Sequence, residues 1–177
     1  SNLLDKYLLE KWLKNPLLSL NIIFFVDLIA AVAVYFTHGF NSISPMNIML
    51  VVICGALSIM GAVFYFMALN IEEVSRIVPL FNIGPLFILV LATLFLGEVF
   101  TPGKSLGIAL LIIGSVLITI KKVESKRKFH FGKSMWLMLG CLITSAIAQV
   151  LTKYLLRFGD YWSIFGYTRL SGALVLI

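Results

Sequence analysis

The sequence predicts an all-α membrane protein, a multi-span helical bundle, and three observations carry that reading. Hydrophobic residues make up 60% and charged residues 12% of the 177, against about 25% charged in a soluble domain. The apolar residues fall in runs close to the roughly 20 that a spanning helix needs. The charges fall mostly between those runs. At a mean hydropathy of +1.04 the chain has too little polar surface to cover a core in water, so lipid is its solvent.

In chain order, residues 1–14 read as helix but are too short and too polar to span. Leu17 to Phe36 is a span interrupted by one acid, Asp27. Met46 to Leu69 carries no charge, and Ser75 to Gly97 none after Arg76. Ser105 to Ile120 is a short span that Phe100 to Lys104 lengthen. Ser134 to Thr152 is uncharged and continues as helix to about Leu156. Trp162 to Ile177 opens a further span. Breaks are expected at Asn15-Pro16, Gly39 to Pro45, Thr101-Pro102-Gly103 and Gly159-Asp160. These connections are short, which predicts antiparallel packing of consecutive helices. Gly107 and Gly114, and Ser58 and Ala62, share helix faces and are expected at close helix contacts.

The net charge of +6 is concentrated. Lys121 to Lys133 holds six Lys and Arg against Glu124. This is a solvated, membrane-flanking linker, and no nucleic-acid partner is implied. Cys54 and Cys141 lie in apolar runs without metal-ligand spacing and read as small packing residues. The chain begins Ser-Asn, without Met, and ends inside an apolar run, so both ends are expected to be cut and the architecture incomplete.

Self-comparison adds a repeat. Residues 5–9 read Asp-Lys-Tyr-Leu-Leu and residues 152–156 read Thr-Lys-Tyr-Leu-Leu. Each is followed by a break and an apolar span, with Asp27 in the first and Arg169 in the second standing before small residues. Residues 1–37 and 133–177 therefore read as two copies of one helix pair. One repeat would occupy 1–122 with its first helix partial, 123–132 would be the basic linker, and 133–177 would start a second, truncated repeat. A repeat with an odd number of helices re-enters from the opposite side, which gives a five-helix inverted-repeat architecture of the kind found in secondary transporters.

Residues Tyr65 to Lys121 carry a family resemblance. Tyr65 and Ala68-Leu69 close the third helix. Arg76, Pro79 and Pro85 open the fourth, which ends in Leu96-Gly97-Glu98, and Gly107 and Gly114 mark the fifth. In this pattern the chain resembles the EamA-like family of the drug/metabolite transporter superfamily. The family also places an Arg in the second helix of each repeat. Arg169 matches it in the second copy, whereas the first copy has Asp27, a departure at that position. The resemblance implies a cell-membrane, multi-pass transporter of a small metabolite or drug-like solute, working by alternating access of two inverted repeats. It implies no cofactor and no enzymatic activity.

The substrate-binding candidates are Asp27, Tyr65, Arg76, Pro79, Asn82, Pro85, Gln149, Lys153 and Arg169. An acid midway along a span costs a few kcal/mol, so Asp27 marks either a site or a buried packing pair. Arg169 stands at the repeat-equivalent position, where inverted symmetry would bring it toward Asp27. Pro79 and Pro85 each remove a backbone donor and free a carbonyl, with Asn82 between them, and freed backbone must meet protein or a wet cavity. Gln149 and Lys153 are four apart on one face, and Lys6 is the repeat mate of Lys153. Asp27, Tyr65, Pro79, Asn82, Pro85 and Arg169 are expected to line one central cavity.

No catalytic set is recognisable. His38 and His130 are single and flank spans, and Phe158-Gly159-Asp160 has no second Asp in a suitable motif. The competing reading is a non-transporting membrane scaffold subunit or a membrane-embedded enzyme. Expected partners are a small-molecule solute and membrane lipid, with a homodimer left open. The positive-inside rule places the 121–133 linker in the cytoplasm, whereas the resemblance implies the opposite side. On the charge argument, a Cys introduced at Ser125 is expected to resist an impermeant reagent added outside intact cells, and labelling there would refute that orientation.

Overall fold

The computed structural model describes residues 16–71, 77, 80–81, 83–99, 101–123 and 132–175. These form six helices: α1 (Pro16–His38), α2 (Pro45–Ile71), α3 (Gly84–Leu96), α4 (Pro102–Val123), α5 (Lys133–Leu155) and α6 (Tyr161–Val175). No strand occurs among the described residues. Asn21–His38, Pro45–Ile71 and Lys133–Leu155 are long and apolar enough to cross a membrane, and Gly84–Leu96 is apolar but shorter. The fold is an all-α membrane bundle, as the composition predicts.

The prolines set where helices begin. Pro16, Pro45 and Pro102 open α1, α2 and α4, and Pro85 sits in the first turn of α3. A helix start has no use for the missing N–H and suits the fixed φ. Pro85 explains one difference from expectation. A single helix over 75–97 is predicted; Ile77, Leu80 and Phe81 are helical, but a turn at Ile83 interrupts the helix, which resumes at Gly84. Two helices stop at glycines in the left-handed region, Gly39 at φ 70° after α1 and Gly97 at φ 64° after α3. The first returns its N–H to the Tyr35 carbonyl at 3.0 Å, closing the last turn.

Helix α2 is the centre of the packing. It lies along α5 and also against α6, while α1 packs on α6 and α3 on α5. Consecutive helices are therefore not the main neighbours, contrary to the short-loop expectation. Small residues decide the order. A Cβ at Gly55 would collide with Ser171 Oγ and come within 2.7 Å of the Gly172 nitrogen. At Gly61 it would stand 2.9 Å from Ser145 Oγ. Backbones that approach this closely are the usual adhesive between helices in lipid.

Two apolar clusters flank these crossings. Ala68, Leu69, Ile77 and Met138 fill one end, and Val51, Cys54, Leu155 and Ile164 the other. Cys54 and Cys141 are free and buried, in keeping with a packing role. The expected close contact at Gly107 and Gly114 is not made among the described residues. A Cβ at either meets nothing within 4 Å among the described residues, and α4 packs extensively on no other described helix.

The connections at one end of the bundle are tied together. Asn41 Nδ2 donates to Asp160 Oδ1 at 2.9 Å, and the Asn41 backbone N–H donates to Ser163 Oγ at 2.9 Å. Asp160 also caps α6, accepting the Ser163 N–H at 3.0 Å. His38 stacks on Trp162 with ring centroids 4.3 Å apart. Lys153 and Glu98 meet at this same end. The Ser163 N–H, then the Asn41 amide, hold the Asp160 carboxyl down at about 2 from the ordinary 3.8.

Two tests follow from this packing. Gly55→Ala should destabilise the folded protein by about 1–3 kcal/mol through overpacking. Gly107→Ala should be neutral or stabilising by up to about 1 kcal/mol, since Ala is the better helix former. Thermal unfolding in detergent reads both, and equal effects would refute the crossing as described. The second test uses the depressed carboxyl. Its stabilisation is fully present above pH 3.8 and is lost as the pH falls through about 2. The gap in thermal midpoint between wild type and Asp160→Asn should hold steady from neutral pH to about 4 and then narrow. A gap unchanged at about pH 2 would count against the cap.

Candidate functional site

Asp27 is a carboxylate midway along a spanning helix, and it is met by Arg169 from α6. Arg169 Nη1 lies 2.8 Å from Asp27 Oδ1. The two are unequally placed, because the Asp27 side chain is 8% exposed and that of Arg169 45%. The guanidinium also sits 4.9 Å above the centre of the Phe165 ring, one turn earlier on α6. Stacking on an aromatic face and bonding one carboxylate oxygen leave most of its five donors unspent among the described contacts.

The pair borders a cavity of about 350 Å³ between α1, α2, α5 and α6. Helices α5 and α6 both line it and both pack on α2. Its polar lining comes from Ser58, Ser145, Gln149, Thr152 and Thr168 as well as the charged pair. Three of these hydroxyls spend their proton on their own helix. Ser58 donates to Cys54 O at 2.8 Å, Thr152 to Ala148 O at 2.8 Å and Thr168 to Ile164 O at 2.7 Å. Their oxygens keep acceptor capacity. The cavity thus offers donors from Arg169 and Gln149, acceptors from the hydroxyls, and aromatic walls from Tyr161 and Phe165.

Of the residues singled out in the sequence, Asp27, Gln149 and Arg169 come together here. Tyr65 and Pro85 do not line this cavity. Tyr65 packs beside the cluster of Ala68, Leu69, Ile77 and Met138, its ring 5.4 Å from that of Phe81. Pro85 begins α3. Both belong to the end of the bundle away from the tied connections, whereas the cavity runs from mid-span toward them. Lys153 also turns away, placing Nζ 2.6 Å from Glu98 Oε2 of the α3 end. Arg76, Pro79 and Asn82 lie outside the described residues.

The residues that sequence reasoning missed are Ser145, Thr152, Thr168 and Phe165. Ser58, read as a helix contact, faces the cavity instead. A signal was present, since Ser145, Gln149 and Thr152 recur at helical spacing within an uncharged span, and Phe165, Thr168 and Arg169 repeat it on α6. No group of three or more His, Cys, Asp or Glu able to hold a metal occurs among the described residues.

Comparison with known proteins agrees with this architecture. The chain is similar to an uncharacterized protein of Methanocaldococcus jannaschii, 32% identical over 108 residues, which are 60% of this chain and 79% of that protein. No solved structure matches. The family model that matches, over residues 3–120, is that of the EamA-like transporter family. An apolar helical bundle matched over that stretch places the chain in the EamA-like transporter family, within the drug/metabolite transporter superfamily.

Proposed function

We propose that this protein is a multi-pass secondary transporter of the cell membrane, moving a small metabolite or drug-like solute by alternating access. On this reading residues 1–122 form one repeat, 123–132 a linker and 133–177 the start of an inverted second repeat. The family match over residues 3–120 supports the first boundary. The cavity between α1, α2, α5 and α6 is the solute site, and Asp27, Gln149 and Arg169 bind within it.

The observation that carries the proposal is the Asp27–Arg169 pair. The two residues occupy corresponding places in the sequence copies and meet at 2.8 Å beside a polar cavity at mid-span. Inverted repeats put their shared site at the repeat interface, near the bilayer midplane. A volume of about 350 Å³ suits a small molecule. The pair makes the cavity electrically neutral, and Arg169 keeps donors for an acceptor group on the solute. A scaffold would use the same pair only to fix helix register.

A double exchange separates these roles. With a solute found by screening labelled metabolites in proteoliposomes of the full-length protein, Asp27→Asn and Arg169→Gln should each lower transport about tenfold or more. That is the worth of one charge-assisted hydrogen bond. Membrane insertion should persist. The swapped variant Asp27→Arg with Arg169→Asp should recover thermal stability but not transport. Wild-type transport by the swapped protein would show that the pair is only a packing contact.

A further inference from the structure

A second hollow lies outside the site described above. It is a groove of about 450 Å³ between α2, α3 and α5, walled by Leu50, Leu91, Phe95, Leu151 and Tyr154 among others. Its residues come from the start of α2, the end of α3 and the second half of α5, so it occupies one half of the bilayer thickness. From Ile147 to Tyr154 it follows α5 for about 10 Å, within the roughly 15 Å of hydrocarbon in one leaflet. The Tyr154 hydroxyl is the one polar side-chain group in the wall.

The mouth of this groove is basic. Leu96 closes its outer end, and Arg157 Nη2 donates to the Leu96 carbonyl at 3.4 Å. Arg157 follows Tyr154 by three residues, continuing the lining face of α5 beyond the helix end. Lys153 is neutralised by Glu98 at 2.6 Å, whereas Arg157 meets no carboxylate among the described residues. Asp160, at the same end, spends its carboxylate on Asn41 and Ser163, so Arg157 keeps an unpartnered charge among the described contacts at headgroup depth. Tyr154 and Phe158, with ring centroids 5.1 Å apart, mark that depth as aromatic residues do at a membrane interface.

The occupant must be narrow, apolar and anionic at one end. A groove of this length, walled by side chains of three helices and open along one side, matches an extended acyl chain. A polar solute would find only the Tyr154 hydroxyl in the wall. The geometry points to a binding site for one anionic phospholipid, with an acyl chain in the groove and its phosphate on Arg157.

Native mass spectrometry of the full-length protein, given equal phosphatidylglycerol and phosphatidylcholine, tests the assignment. One phosphatidylglycerol should be retained per chain, preferred about fivefold as expected for one basic residue at the membrane surface. Arg157→Gln should bring that preference close to one. Leu151→Trp should expel the lipid by filling the groove, with helix content unchanged by circular dichroism. Phosphatidylglycerol carrying a photoactivatable acyl chain should label the wild-type protein at Phe95-Leu96 or between Leu151 and Tyr154. Equal retention of both lipids, an undiminished preference in Arg157→Gln, or labelling only elsewhere would overturn the site. The last outcome would mean that protein covers the groove.

Discussion

The rest of the structure depends on the close approach of α2 and α6 at Gly55. In lipid the tails outside a helix are as apolar as its neighbour, so burying Leu or Ile side chains does not choose a partner. Backbone approach does. Gly55 lets the Ser171–Gly172 step of α6 rest on α2, and Ser171 Oγ donates to the Val51 carbonyl at 3.1 Å. This contact fixes both the depth and the rotation of α6. Arg169 is two residues earlier on the same helix, and so it is set beside α1 at the depth of Asp27.

Much of the remaining polarity within the spans is spent locally. Thr37, Ser58, Thr93, Thr144, Thr152 and Thr168 all return their hydroxyl protons to a carbonyl four residues earlier. Such bonds satisfy the group without joining one helix to another. Among the described residues the bonds between helices at mid-span are chiefly the Asp27–Arg169 pair and the Ser171–Val51 contact. The denser cross-links gather at one end, where Asn41, Asp160 and Ser163 bond one another. The bundle is thus pinned by a few contacts of high specificity and otherwise held by shape.

This division explains what could be read in the sequence. Helix starts were legible because proline has a local reason to be there, as at Pro16, Pro45 and Pro102. The Asp27–Arg169 relation was legible because an intramembrane charge has few tolerable surroundings, and the likeness of residues 5–9 to 152–156 pointed to Arg169 as its partner. Helix order was not legible, since protein-facing and lipid-facing residues are equally apolar, as exposed Phe25, Ile29 and Leu94 show. Nor could small-residue pairs be ranked from spacing alone. Gly55 and Gly61 sit at helix crossings, whereas Gly107 and Gly114 face nothing within 4 Å among the described residues. Ser145 and Thr152 escaped notice because a mid-span hydroxyl satisfies itself on its own helix and leaves no necessity for sequence reasoning to detect.

Lys153 shows how a side chain is claimed by backbone geometry elsewhere. Read along α5 alone, it shares a face with Gln149 and points to the same cavity. Its actual partner depends on how α3 stops. Gly97 adopts φ 64° and, with Glu98, turns its N–H back toward the Ala92 carbonyl. An L side chain rarely takes that conformation, so the stop requires glycine. The reversal swings the Glu98 carboxylate onto Lys153 and leaves the Leu96 carbonyl for Arg157. Leu96, Gly97 and Glu98 therefore act as one joint: the first offers its carbonyl, the second turns the chain, and the third supplies the charge. The order of the three residues follows from the joint, and so does the diversion of Lys153 away from the cavity beside Asp27 and Arg169.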